Sequence, residues 1–111
     1  MTQSFDARIH NVAINSSGTS TRAIKGVEEY SDATCINIQS PATLDAGIYI
    51  IQTSFDGSTW ATLNDGSNDI GPPGAGKSRQ YVEMLSFPFW RINGPTAAAT
   101  RTFLVSKQWT A

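Results

Sequence analysis

The stretch YIIQTSFDGSTWATL, Tyr49–Leu63, decides the fold class. β-Branched and aromatic residues flank Asp56-Gly57, a dipeptide that supplies the positive φ a tight hairpin turn demands. The flanks suit pleated, half-buried strands, and Trp60 is placed to cover the turn-proximal end of a core. Strand, turn and strand in this order predict an antiparallel sheet.

Working outward, short apolar runs recur between clusters of Gly, Asn, Asp, Ser and Pro, and no helix-period stretch of useful length interrupts them. Strands are expected near Ala7–Asn15, Ser20–Lys25, Thr34–Gln39, Gly47–Phe55, Trp60–Leu63, Arg79–Leu85, Phe89–Asn93 and Arg101–Trp109. A second hairpin is expected between Phe89–Ile92 and Arg101–Val105, across the connection Asn93–Thr100. In the last strand, Phe103, Val105 and Trp109 share a face with Arg101 and Lys107, while Leu104 shares the other with Thr102, Ser106 and Gln108. That mixture suits a strand near an edge or an interface. Met1–Phe5 is expected to be a flexible arm. The spacing predicts an all-β fold: an antiparallel β-sandwich, jelly-roll-like, forming a single domain over residues 1–111.

Composition agrees with one globular domain. With 111 residues, 40% hydrophobic and only 15% charged, the chain can bury a real core and does not read as disordered. A net charge of −1 leaves no basic footprint for nucleic acid, and no basic amphipathic helix suggests a membrane surface. The longest apolar run, Ile48–Ile51, is far short of a membrane span. Cys35 is the only cysteine, and the N-terminus lacks the apolar run of a signal peptide, so assembly in a reducing cytoplasm is expected.

Gly71-Pro-Pro-Gly-Ala-Gly-Lys77-Ser78 fits the phosphate-binding pattern G-x-x-x-x-G-K-[ST] without mismatch. That chemistry needs a strand before the loop, a helix after it and a parallel sheet around both. The residues before it, Leu63–Ile70, are turn chemistry, and the 33 residues after Ser78 cannot build the rest of such a sheet. The string therefore reads as a loop between strands, with Lys77 solvated.

The loop Asn64–Asp69 carries enough oxygens to interest calcium, but the position for a bidentate glutamate is Ala75. Asx-rich turns of this kind hydrogen-bond their own backbone. His10 is the only histidine, which leaves no histidine pair or Cys-His set for zinc. Cys35 alternates with Asn37 and Gln39 and reads as a packed thiol. Glu28 and Glu29 are neighbours, so in a strand they face opposite sides. No catalytic set, metal or cofactor is expected. The aromatics remain: Trp109, Phe55 and Trp90 are the candidates for contact with a partner, because large exposed apolar residues mark interfaces.

The Tyr49–Leu63 hairpin, the run Phe89–Ile92 and the passage into Thr102–Ser106 resemble small structural proteins of tailed bacteriophages. In size and all-β pattern the chain resembles the capsid decoration, or cement, proteins of epsilon15-like podoviruses. That resemblance implies a non-enzymatic virion protein on the capsid exterior, assembled in the host cytoplasm. It would staple neighbouring major capsid proteins, pairing as a homodimer at capsid two-fold positions, with no nucleic-acid or membrane partner. The alternative is a carbohydrate-binding module or a fibre or tail domain, with Trp60 or Trp90 as a stacking platform.

Overall fold

The computed structural model describes residues 3–5, 9–30 and 33–110, and only the backbone of residues 3–5, 27, 28, 109 and 110. Within them the chain forms β1 (Gln3–Phe5), β2 (His10–Ile14), β3 (Ile24–Lys25), one helical turn α1 (Gly26–Glu29), β4 (Cys35–Gln39) and β5 (Ile50–Ser54). It continues through β6 (Ala61–Thr62), β7 (Ser78–Tyr81), a 3₁₀ turn at Glu83–Ser86, β8 (Phe89–Asn93) and β9 (Arg101–Thr110).

Two antiparallel sheets pack face to face. The first has the order β1-β9-β4-β7, with β2 joining β1 along the same side of the ten-residue β9. The second has the order β3-β8-β5-β6. The pairing is nested: β2 pairs β9, β3 pairs β8, β4 pairs β7 and β5 pairs β6. Two further pairings, β4 with β9 and β5 with β8, close each sheet.

Period-two alternation explains which side chains meet. Val12, Ile14, Ile36, Ile38, Tyr81, Phe103 and Val105 of the first sheet point inward and are buried. Ile24, Ile51, Trp90 and Ile92 of the second sheet meet them, and Met84 from the 3₁₀ turn completes the cluster. Fully burying side chains of this size contributes roughly 1.5–3 kcal/mol each before entropy is counted.

Several expectations are corrected. Phe89–Ile92 and Arg101–Val105 do not form a hairpin, because β8 belongs to the second sheet and β9 to the first. Their connection is fastened instead to the β2–β3 connection, through Gly94 N–H to Thr19 O at 2.8 Å, Ala97 N–H to Gly18 O at 2.9 Å and Ser17 N–H to Ala97 O at 2.8 Å. Those bonds hold the crossing between layers. β9 is central rather than at an edge, flanked by β4 on one side and β1 and β2 on the other. Gln3–Phe5, expected in a flexible arm, is strand β1 and pairs with Gln108–Thr110, while Met1 and Thr2 lie outside the described residues. The strand expected over Arg79–Leu85 stops at Tyr81 and gives way to the 3₁₀ turn. Ser20–Lys25 is strand only at Ile24–Lys25, with a single bridge between Ser20 and Asn93.

Candidate interaction surfaces

Two surfaces stand out, on different parts of the sandwich. The first is the outward face of the β1-β9-β4-β7 sheet. Register places Asn37 beside both Ser106 and Gln80, and Gln39 beside both Leu104 and Ser78. Asn11 lies opposite Leu104 from the β2 side, Ala13 opposite Thr102, and Cys35 opposite Gln108. Every one of these side chains is uncharged. The carboxamides and hydroxyls bond across the strands: Asn37 Nδ2 to Ser106 Oγ at 3.4 Å, Cys35 Sγ to Gln108 Oε1 at 3.2 Å and Gln80 Nε2 to Gln108 Oε1 at 3.4 Å. Burial pushes the Cys35 thiol up from its ordinary value, so it stays protonated and adds no charge. Ile9, 60% exposed, and Leu104, 36% exposed, give this face its apolar spots. They border a shallow depression with Asn37, Gln39, Ser78 and Ser106.

The second surface is a cleft at the β6 edge of the other sheet. Ala61 pairs with Thr53 and so lies on the core-facing side, yet it is exposed. A cleft of about 590 Å³ lies at this edge, lined by Phe55, Trp60 and Phe87 with Thr53, Thr59, Thr62 and Asn64 among its polar residues.

The loop beside the cleft is fastened by its own side chains. Ser54 Oγ accepts N–H bonds from Asp56 at 3.2 Å and Gly57 at 2.9 Å, and donates to Asp56 Oδ1 at 2.9 Å. Asp56 Oδ1 also accepts the N–H groups of Ser58 and Thr59, both at 2.8 Å. Those bonds hold the Asp56 carboxyl down at about 2, well below the usual carboxylate range. Gly57 has the positive φ expected of it, +81°, but the hairpin is not tight: β5 ends at Ser54 and β6 begins at Ala61, because the Ser54 and Asp56 side chains hold a longer loop. A Cβ on Gly57 would meet the Phe89 ring at 3.5 Å. Trp60 is held by the guanidinium of Arg91, 4.2 Å above its ring, and Arg91 Nε donates to Gln52 Oε1 at 2.7 Å.

Of the expected partner residues, Phe55 and Trp90 are not brought together. Phe55 stands at the cleft, 77% exposed, with its ring 5.7 Å from that of Phe87. Trp90 is a correction: it has no exposed surface and lies in the core, 6.3 Å from the Tyr30 ring, so it cannot touch a partner or stack on a sugar. The side chain of Trp109 lies outside the described residues. The outward face of the first sheet was not among the sequence candidates. Alternation assigned its residues to one side of β4 and β9, but only the register shows that they adjoin.

The glycine-rich string 71–78 connects the second sheet to the first, and Ser78 opens strand β7 rather than a helix. Two of its amides are spent on the chain's own carbonyls, Gly76 N–H on Pro41 O at 2.9 Å and Lys77 N–H on Gly74 O at 3.0 Å. Ser40 Oγ closes the loop from outside by donating to Pro73 O at 2.6 Å. In the Asn64–Asp69 loop, Asp65 Oδ1 accepts from Ser67 N–H at 2.9 Å and Asn68 N–H at 2.7 Å, and Asn64 Oδ1 accepts from Gly66 N–H at 2.7 Å. These oxygens serve the turn, and those amides hold the Asp65 carboxyl below its ordinary value. Among the described residues no three His, Cys, Asp or Glu side chains are grouped to hold a metal.

Comparison with known protein families, curated proteins and solved structures found no match.

Proposed function

We propose that this chain is a non-enzymatic virion structural protein that binds the outside of a phage capsid and staples neighbouring major capsid proteins. The observation that carries this reading is the uncharged outward face of the first sheet. Contact cores between proteins are depleted of charge, since burying an unpaired ion costs more than the contact returns. Here a four-position-wide sheet offers Asn, Gln, Ser and Thr groups with Leu104 at its middle, and among the described residues Arg79 brings a charge only to its β7 border. Carboxamides both donate and accept, so they can satisfy a partner's backbone or side chains in a buried contact.

The nested strand pairing supports a jelly roll, an architecture used in viral shells. Pairing of two copies at capsid two-fold positions belongs to the same reading and would let one dimer bridge two equivalent subunits. Each contact can be modest, because many symmetric copies act on one shell. Binding to the assembled shell and not to free subunits stabilises the shell by linkage.

The test uses expanded shells with and without the protein. Wild-type chain should bind the shells and raise their resistance to heat, whereas Asn37→Lys and Ser106→Lys, which place a charge mid-face, should bind at least about tenfold more weakly. Shells equally resistant without the protein, or variants that bind as well as wild type, would overturn the reading.

A further inference from the structure

We propose that the cleft beside β6 is a binding site for a neutral saccharide. It lies apart from the outward sheet face, and it does not depend on the shell reading. Its volume of about 590 Å³ falls within the range of roughly 300–1,000 Å³ of small-molecule sites. Phe55 is 77% exposed at its rim, an unusual solvent contact for a phenylalanine that a ligand would relieve.

The lining matches a polyol on both counts. A sugar ring presents C–H faces and hydroxyl edges. Phe55, Trp60 and Phe87 supply aromatic faces for the first, and Thr59, Thr62 and Asn64 supply short donors and acceptors for the second. Charge narrows the ligand further. No lysine or arginine lines the cleft among the described residues. The guanidinium beside it, that of Arg91, is turned onto the Trp60 ring and Gln52 rather than into the cleft lining, so an anion would find no cation in direct reach. The one carboxylate, Asp56, has Oδ1 committed to two amides and a hydroxyl of its own loop, which leaves a poor seat for a cation. A wholly apolar occupant would strip water from the threonine hydroxyls and the Asn64 carboxamide without replacing their bonds. The platform is also held before any ligand arrives: Gln52 fixes Arg91, and Arg91 fixes Trp60. Such pre-ordering lowers the entropy lost on binding.

The experiment uses the purified chain alone, on an array of neutral oligosaccharides of glucose, galactose, mannose, xylose and N-acetylglucosamine. The strongest binder is then titrated by calorimetry. At least one neutral glycan should bind, and Phe55→Ala and Trp60→Ala should each weaken it by about tenfold. Phe55 is mostly solvent-exposed, so its variant should keep the wild-type melting curve and serve if Trp60→Ala does not fold. The proposal is overturned if no neutral glycan binds, if both variants bind like wild type, or if the chain takes up only an apolar peptide or only acidic glycans. None of these outcomes bears on docking to shells, which is read on a different face.

Discussion

The Tyr81 hydroxyl donates a 2.7 Å hydrogen bond to the carbonyl oxygen of Gly71, so the strand that follows the glycine-rich string pins the residue that opens it. Tyr81 is itself buried, and desolvation raises its pKa, keeping the hydroxyl a donor. Gly71 also approaches the backbone of Tyr49 so closely that a Cβ there would overlap the Tyr49 carbonyl oxygen. By contrast, a Cβ on Gly74 would meet only the flexible Lys77 side chain, at 3.7 Å. The first glycine is thus required by packing, and the fourth residue of the motif is not.

Gly71→Ala is therefore expected to destabilise the fold by about 1–3 kcal/mol through forced backbone displacement. Tyr81→Phe should cost about 1 kcal/mol for the lost hydrogen bond. Gly74→Ala should leave stability nearly unchanged. Urea denaturation of the three variants measures this, and equal losses at Gly71 and Gly74 would contradict it.

The fold class was legible because alternation is local. Ile36 and Ile38 against Asn37, or Phe103 and Val105 against Leu104, declare two faces without any partner being known. Partners are a different matter. Nothing in the residues of β8 and β9 tells that they part between sheets, because the bonds that separate them run from residues 94–97 to residues 17–19. The site was half legible. Phe55 could be picked out beside the turn, whereas the cleft also needs Phe87, which only the folded chain brings to it. Trp90 was misjudged although its parity was available: it shares a face with Ile92, while Phe89 and Arg91 share the other.

Trp90 gives a second prediction. It is the largest of the fully buried side chains, and its indole N–H has no hydrogen-bond partner among the described residues. Trp90→Ala should cost about 3–5 kcal/mol by opening a cavity between the sheets. Trp90→Phe should cost distinctly less, because it keeps a ring against Tyr30 and removes the unpaired donor. Chemical denaturation compares the two, and a phenylalanine variant as unstable as the alanine variant would show that the indole ring is not replaceable by a smaller one.

Acid should act through the β5–β6 loop. Asp56 has its pKa lowered from 3.8 to about 2 by amides that bond to its charged form. A folded pKa below the unfolded one means that the loop's contribution is fully present above about pH 4. It is lost as pH falls toward 2, where the carboxylate takes up a proton in the native state as well. Asp56→Asn removes the titrating group, so its melting temperature should be lower than wild type at pH 7, and the gap should narrow steadily from pH 4 to pH 2. Thermal melts across that window decide the matter. A gap that stays constant with pH would mean that the carboxylate charge contributes nothing to the loop that frames the cleft.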